Sequence, residues 1–318
     1  MSELCVTCDG KLSNTGIPVG AKPFGLVQGL YIVPNVADDG TKNGLDVTSG
    51  TVGADFLAMV QNADPSKRAY PILGLSNFVE EQGDTTFETD DIGRRNKIRD
   101  GIRTVKFEKR GVTTQFFGKV EKLCVDAGVY LVDECGKLRG TLDGDNLYPR
   151  TINVNSYDAN FEITLAESAS KVLFEFDYDF VTKDKNQYYI DSAAFNAFNP
   201  LLLKGLVDVN IVSSNIISGG VDLQCNFDYG TAGDLMPFTG ALPTDFVLYN
   251  NTQGGPMNPP TAATESGVTP GLYTLTYDSA GAFFPVSAID VIVPSVFRAA
   301  AVEGVNGFEG TGASFIAG

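Results

Sequence analysis

The clearest pattern along the chain is an alternation of aromatic and acidic residues near its middle. From Lys171 to Phe180 every second residue after 172 is aromatic, and between them stand the carboxylates Glu175, Asp177 and Asp179. Successive side chains of a β-strand point to opposite faces of the sheet. The pattern therefore predicts a strand with one face in the core and a row of carboxylates on the other. An alternating stretch at 102–107 predicts a second strand, and a short stretch at 128–133 followed by a turn at 134–137 predicts a third.

The last third of the chain predicts a second group of strands. Five short, largely alternating stretches are separated by turns rich in Gly, Pro, Asn and Thr, and they span residues 207–212, 221–227, 245–249, 271–277 and 288–293. This spacing indicates a small β-sandwich of immunoglobulin-like architecture. The region has no Trp and no pair of cysteines that could staple two sheets, so the likeness is one of architecture.

The distribution of charge indicates where the two domains meet. Residues 1–205 contain 22 of the 23 Lys and Arg, whereas residues 206–318 contain only Arg298 against ten acidic residues. The join is expected near Asn199 to Gly205, where Pro and Gly flank a short apolar patch. We therefore predict a first domain over 1–205 and a second domain with a Gly-rich tail over 206–318.

The beginning of the chain has weak signals for regular structure. Residues 1–50 are rich in Gly, Pro, Asn and Asp and hold one short apolar stretch, Leu26 to Val33. This composition predicts an extended arm more than a packed element. The stretch Asp55 to Val60 predicts a short helix with Asp55 near its N-cap.

Charged residues of both signs fill the stretch after a strand predicted to begin at Tyr70. We interpret residues 80–103 as a long loop that contacts neighbouring subunits, since mixed charge suits complementary contacts and long loops tend to be functional. The residues proposed for this contact are Glu80, Glu81, Asp84, Glu88, Arg94, Arg95, Lys97, Arg99 and Arg103.

Composition narrows the function more by what is missing than by what is present. The chain of 318 residues is 43% apolar, as in a globular protein, and Gly 35 and Pro 15 indicate many turns. It contains no histidine, which removes the commonest general base, the histidine-dependent catalytic triads and histidine metal sites. We therefore expect a protein that is mostly β and is not an enzyme.

Charge and motifs exclude several kinds of partner. The net charge of −16 disfavours adhesion to nucleic acid or anionic membranes. There is no apolar run long enough for a membrane helix and no signal-peptide pattern, so we expect synthesis in the cytosol with reduced thiols. Cys5 and Cys8 have C-x-x-C spacing but no second pair nearby, and no phosphate-binding loop is present. We expect no metal and no cofactor.

The carboxylate row of the predicted strand has three interpretations. Glu175, Asp177 and Asp179 could form a metal or carboxylate-pair site, a solvated strand face, or the wall of a channel lined by repeated subunits. Residues two apart on a strand lie roughly 6.5–7 Å apart, a regular spacing that does not identify a catalytic pair. The solvated face is the simplest of these interpretations.

Three stretches of the first domain are similar to virion proteins of tailed bacteriophages. They are Tyr70 to Gly74, Phe78 to Asp84 and Lys97 to Glu108, with a weaker continuation from Val132 to Gly140. Together they cover about a third of the chain, and the resemblance is to tail-tube-like proteins of phages that infect gut bacteria of the Bacteroidetes type.

This resemblance implies a fold and a role. It implies a β-barrel or sandwich whose strands join around a ring, a long loop that reaches the next ring, and an added immunoglobulin-like domain outside. The subunit would assemble with copies of itself and with other virion proteins, and DNA would pass through as cargo. The protein would be assembled in the host cytoplasm and reside in the virion. Two alternatives remain open: a capsid or head-decoration protein, and a carbohydrate-binding or adhesion module.

Overall fold

The computed structural model describes most of the chain and divides it into two compact units. The described residues are 24–121, 123, 125–163, 170–179, 186–195, 198–217, 219–231, 234–277, 283–299 and 307–317. The first unit is Met1–Leu203 and the second is Lys204–Gly318, against a predicted join between residues 205 and 206. Both units are built mainly from strands, which confirms the prediction of a mostly β protein.

The described residues of the first unit form two α-helices and several short 3-10 helices besides the strands. In chain order its elements are β1 (Val27–Pro34), β2 (Leu45–Asp46), α1 (Val52–Val60), β3 (Tyr70–Leu73), β4 (Leu75–Gln82), β5 (Thr86–Thr89), β6 (Arg95–Arg99), β7 (Arg103–Arg110), α2 (Thr114–Val120), β8 (Ala127–Asp133), β9 (Leu138–Asp143), β10 (Asn146–Tyr148), β11 (Arg150–Thr151), β12 (Asp158–Glu162), β13 (Lys171–Asp177) and β14 (Gln187–Ile190). The strands predicted at 102–107, 128–133 and from 171 correspond to β7, β8 and β13.

These strands form two packed sheets and one separate hairpin. The central sheet has the order β2-β10-β9-β8-β1-β3, with β11 paired to β8 and β14 paired to β9. The outer sheet has the order β12-β13-β7-β4, and β5 pairs with β6 in a two-stranded sheet. The sheet pairings within this unit are antiparallel, as the registers of β1, β7 and β13 with their neighbours show.

Two hydrophobic cores lie on the two faces of the central sheet. One face packs against α1, where Phe56 meets Tyr31 at a ring-centroid distance of 4.9 Å. The other face packs against the outer sheet, where Phe107 stacks on Phe174 at 4.6 Å. Because both of its faces are covered, β8 is buried at every residue. The inner face of the outer sheet is thereby fixed, and its opposite face includes the exposed residues Asp158, Glu162 and Glu175.

The predicted N-terminal arm is wrong for the part of it that the structure describes. Residues 27–34 form β1, which lies between β8 and β3 in the central sheet, with Leu30, Tyr31 and Val33 fully buried. The strand itself contains Gly29 and Pro34, so these residue types do not exclude a buried strand here. Residues 1–23, which include Cys5 and Cys8, lie outside the described residues.

The two helices differ from the sequence expectation in different ways. Helix α1 begins at Val52 after Thr51, so Asp55 lies in its first turn, where it accepts a hydrogen bond from the Thr51 hydroxyl at 3.0 Å. A carboxylate there complements the positive end of the helix dipole. Helix α2 was not predicted, although the Thr113 side chain caps it by accepting from the Phe116 amide at 3.2 Å.

The predicted charged loop is a β-hairpin. Strand β4 continues to Gln82, β5 and β6 follow as an antiparallel pair, and β7 returns from Arg103. Mostly polar and charged residues can pair as strands when a tight turn joins them, and Asp90 and Gly93 supply that turn. We call β5, β6 and their turn the charged hairpin.

The second unit contains the remaining strands. They are β15 (Val207–Ile217), β16 (Gly220–Thr231), β17 (Asp234–Pro237), β18 (Phe246–Asn250), β19 (Gly255–Pro256), β20 (Ala262–Glu265), β21 (Leu272–Thr276), β22 (Val291–Arg298), β23 (Phe308–Thr311) and β24 (Phe315–Ile316). All five predicted stretches contain a strand, and the last begins at Val291, three residues after the predicted start.

Strand β15 joins both halves of the sheet in the second unit. The order is β19-β18-β22-β23-β15-β16-β21-β20, with β17 on β16 and β24 on β22, and β15 pairs in parallel with β23. The sheet curls around one core that includes Phe238, Phe246 and Tyr273. The immunoglobulin-like part of the prediction is not confirmed.

Buried polar groups of the second unit are tied to one another. Arg298, the one cation of residues 206–318, grips the buried Asp245 carboxylate through two nitrogens, one of them Nε at 2.9 Å from Oδ1. The Asp290 carboxylate accepts from Gln253 Nε2 at 2.9 Å and from Asn250 Nδ2 at 3.2 Å. Two of the carboxylates of this unit, Asp245 and Asp290, are thus bound by side chains of the same unit.

Candidate functional site

The outward face of the outer sheet carries most of the charge that the strand patterns predict. Residues that pair directly across strands share a face, and the registers of β4, β7, β12 and β13 place one set of charged residues opposite the core. Carboxylates outnumber cations six to three among the described residues of this face, which we call the charged face: Glu81, Glu108, Asp158, Glu162, Glu175 and Asp177 with Lys106, Arg110 and Lys171.

The predicted carboxylate row is not a bare row. Glu175 lies opposite Lys106, and their side chains form an ion pair of 3.0 Å that is half exposed. Asp177 accepts a hydrogen bond from the Thr104 hydroxyl at 2.6 Å. Asp179 follows the end of β13, where its amide donates to the Thr151 carbonyl at 3.0 Å. One strand's pattern cannot reveal these cross-strand partners, of which Lys106 offsets one charge of the row.

The core side of this strand follows the prediction as far as it is described. Phe174, Phe176 and Tyr178 are each buried, while Glu175 between them is exposed. Burial raises the pKa of Tyr178 to about 12. The fourth aromatic residue of the predicted pattern, Phe180, lies outside the described residues. The alternation therefore fixes which way the charged face points.

Charge alternates along the charged face as well as across it. Lys171 lies between Glu108 and Glu162, with Nζ to carboxylate distances of 3.3 and 3.2 Å. Arg110 adds a contact of 3.1 Å to Glu108. Hydrogen bonding to the Asn77 side chain, followed by the Arg110 and Lys171 contacts, holds the pKa of Glu108 below its ordinary value. Glu108 is therefore ionised near neutral pH, and this end of the face is closely balanced in charge.

The outer sheet ends in two strands whose outer sides have no strand partner among the described residues. Strand β12 pairs with β13 and strand β4 pairs with β7, and each has one side left over. A strand edge presents unpaired N–H and C=O groups that can pair with another chain. These two edges lie on opposite sides of one four-stranded sheet, so a copy of the chain could add at either.

The charged hairpin is exposed along nearly all of its described length, and only Asp90 in its turn is partly buried. Every residue of β5 is exposed, and Ile92 and Ile98 are 73% and 59% exposed. The Arg95 guanidinium stacks over the Phe87 ring at 3.9 Å. The pair β5–β6 joins no third strand among the described residues. A two-stranded sheet is marginally stable in water by itself, and exposed apolar side chains on it favour a contact with another surface.

Charge is sorted between the two strands of the hairpin. Acidic residues stand on or beside β5, and basic residues stand on or beside β6; they are Asp84, Glu88, Asp90 and Asp91 on the first side and Arg94, Arg95 and Lys97 on the second. Lys97 also forms an ion pair with Asp100. The side chain of Arg99, another residue of the predicted contact, lies outside the described part. An acidic edge next to a basic edge is complementary to a second copy of itself.

The hairpin leaves the outer sheet at a place where two glycines meet, which we call the glycine crossing. The Gly83 amide donates to the Ile102 carbonyl at 2.8 Å. A Cβ on Gly101 would lie 1.7 Å from the Gly83 carbonyl oxygen, so no other residue fits at position 101 without moving the backbone. Close backbone approach is a characteristic use of glycine in strands.

Two residues of the predicted contact loop point inward and not towards a neighbour. Glu80 is paired in register with Val105, so it faces the gap between the two sheets with a side chain 12% exposed. Its carboxylate contacts three guanidiniums: Arg150 at 3.0 Å, Arg103 at 3.5 Å, and Arg139. We call these four residues the Glu80 cluster.

The Glu80 cluster could have been found in part from the sequence. Arg103 shares its strand parity with Val105 and Phe107, which are core residues, and that parity indicates an inward side chain. What the sequence does not indicate is that Arg139 of β9 and Arg150 of β11 reach the same carboxylate from the central sheet. The Arg150 guanidinium also lies 3.7 Å from the Tyr178 ring centre.

The described residues offer no assembled site for a metal ion. Within them there is no group of three or more acidic, cysteine or histidine side chains able to hold one. Cys135 is exposed and Cys225 is buried, whereas Cys124 lies outside the described part. Across the same residues, no helix has the length and apolar character needed to cross a bilayer.

The chain matches no family model, and no curated protein matches it. The function is therefore argued from the charged face, the two sheet edges and the charged hairpin.

Proposed function

We propose that the chain is a non-enzymatic structural subunit of a tailed-phage virion, which assembles with copies of itself into rings that stack as a tail tube. One observation carries the proposal: a four-stranded sheet with one face in the core, a charged opposite face, and edge strands β12 and β4 without strand partners among the described residues. Pairing of β4 of one copy with β12 of the next satisfies both edges. This contact is head-to-tail, and a head-to-tail contact gives a ring when its rotation closes.

The charged face would line the channel of such a ring. The inner face of the outer sheet is covered by the central sheet, which leaves the charged face as the open side. Its carboxylates outnumber its cations, and the ring repeats that surplus in every subunit. A negative wall repels the phosphate backbone, so DNA would pass as cargo without adhering to it.

The charged hairpin would make the contact between successive rings. It is exposed, it carries apolar side chains at Phe87, Ile92 and Ile98, and its two edges have opposite charge. Burial of these side chains against another copy supplies a hydrophobic gain of about 25 cal/mol per Å², and the sorted charges select the register. In this proposal the partners are other copies and other virion proteins, with no cofactor and no membrane.

Removal of the hairpin tests the assembly proposal. Because the chain leaves and re-enters the outer sheet at the glycine crossing, residues 85–99 can be replaced by an Asn-Gly turn between Gly83 and Gly101. We expect a folded chain that loses only the strand content of β5 and β6 by circular dichroism and that no longer forms stacked rings in sedimentation and negative-stain microscopy. Stacked rings formed equally well without the hairpin would remove its role as the inter-ring contact.

Charge reversal tests the channel proposal. Glu175→Lys with Asp177→Lys changes the charged face, while the exposed pair Lys67–Asp39 on the same unit offers a control reversal, Asp39→Lys. We expect assembled protein with the first change to retain double-stranded DNA at low salt and to release it as salt rises. Retention at the same level in the control would mean that the charged face is not the surface that meets DNA.

A further inference from the structure

The Glu80 cluster joins the base of the charged hairpin to the central sheet through one carboxylate. Glu80 belongs to β4 and Arg103 to the start of β7, the two strands that continue into the hairpin. Arg139 and Arg150 belong to β9 and β11 of the central sheet. Oε1 of Glu80 contacts Arg103 and Arg150, and Oε2 contacts Arg139. The cluster therefore bridges two sheets at the point where the hairpin departs.

Beyond the glycine crossing, few described contacts fix the direction in which the charged hairpin points. The chain passes from β4 into the glycine crossing, where no side chains stand between the two backbones. Past the crossing, β5 and β6 pair with each other and with no third strand among the described residues. Glycine permits a wide range of backbone angles. The direction of the hairpin is thus set by whatever fixes the strands just before the crossing.

We propose that Glu80 is a positioning residue, which sets the direction of the charged hairpin by holding β4 and β7 to the central sheet through the three guanidiniums. Ionised carboxylate–guanidinium contacts are strong when water is largely excluded, and the Arg150 side chain is 6% exposed. The three arginines form a binding site for one carboxylate, and the Glu80 side chain occupies that site. The ordering of the hairpin stands independently of the proposed function, and its effect on assembly rests on that function.

The order of the hairpin can be measured in the full-length protein with few signals. Selective ¹⁵N labelling of isoleucine reports Ile92 and Ile98 in the hairpin, and Ile72 and Ile211 in the cores as internal references. In the wild-type monomer we expect amide order parameters near 0.85 for all four residues. Glu80→Gln keeps the side-chain shape and removes the charge, and we expect values below about 0.6 for the two hairpin amides with the references unchanged.

A neighbouring residue provides the matched control. Glu81 follows Glu80 in β4 but points to the charged face, so Glu81→Gln removes the same charge without touching the cluster. We expect no change in the order of the hairpin. In Glu80→Gly, sodium formate is expected to restore hairpin order, and sodium chloride of equal ionic strength is not, because formate can occupy the position of the missing carboxylate.

Three results would overturn the inference. They are a hairpin that is already flexible in the wild type, a hairpin that stays ordered in folded Glu80→Gln, and a loss of order in Glu80→Gln that also includes Ile72. The last would make Glu80 a residue for the stability of the whole unit. Loss of hairpin order with unimpaired ring stacking would keep the inference and contradict the hairpin's role in assembly. Loss of stacking with an ordered hairpin would contradict the inference and leave that role intact.

Discussion

Truncation of Phe174 tests the alternation on which the charged face depends. Phe174 lies in β13 with 2% of its surface exposed, and its ring stacks on Phe107 at 4.6 Å between the two sheets. Phe→Ala in a core costs about 3–5 kcal/mol, since the lost burial adds to the cost of the cavity. We expect a loss of about 4 kcal/mol, which lowers the urea midpoint of this unit by about 2 M at a slope near 2 kcal/mol per M.

The neighbouring residue on the same strand is the control. Leu173 faces the charged face and is only partly buried, so Leu173→Ala is expected to cost less than about 1 kcal/mol. The chain has no tryptophan, so unfolding is followed by circular dichroism. Equal losses at the two positions, or a larger loss for Leu173, would refute the assignment of inner and outer faces and with it the charged face.

Three further predictions concern a pH effect, an ion pair and a glycine. Burial opposes ionisation of Glu265, but hydrogen bonds from two backbone amides and a tyrosine hydroxyl bring its pKa below the ordinary 4.5. The ionised Glu265 carboxylate therefore adds to the free energy of unfolding above pH 4.5, and this contribution is lost as the pH falls through the lowered pKa. The difference in the free energy of unfolding between wild type and Glu265→Gln should therefore shrink in acid. Arg298→Ala leaves the buried Asp245 carboxylate without its bidentate partner and should lower the free energy of unfolding by about 2–3 kcal/mol in urea. Arg298→Lys should restore part of that lost stability. Equal stability of wild type and both variants would contradict this. Gly101→Ala forces the glycine crossing apart and should lower the melting temperature. In α2, a Cβ added at Gly118 would meet nothing within 4 Å, so Gly118→Ala should raise the free energy of unfolding by about 0.5–1 kcal/mol. A stabilising Gly101→Ala together with a destabilising Gly118→Ala would contradict the geometry.

A strand with one face in water gives the clearest pattern in the sequence, although β8, which is buried at every residue, was also predicted. Strand β13 can be predicted from the sequence because its aromatic residues pack in the core while Glu175 is exposed to water. Strand β1 does not, because it lies in the middle of the central sheet with both faces covered, and a short apolar run of that kind has no period to detect. The charged hairpin is missed for the opposite reason, since neither of its faces is buried.

The candidate site was accessible from the sequence only along single strands. The row at Glu175 and Asp177 was predicted, but its partners Lys106 and Thr104 stand on β7, some seventy residues earlier in the chain. Glu80 was assigned to a subunit contact because its neighbours in sequence are charged. The arginines that contact Glu80 come from β7, β9 and β11, and only the packing of the outer sheet on the central sheet brings them together.

Self-assembly is the central claim, and negative-stain microscopy of the full-length protein across concentration and salt tests it most directly. Copies with a net charge of −16 repel one another, and salt screens that repulsion over about 8–10 Å. We predict rings and stacked rings that become more frequent as protein concentration and salt rise. A protein that remains a monomer at every concentration and salt level would contradict the account and favour a decoration or binding module.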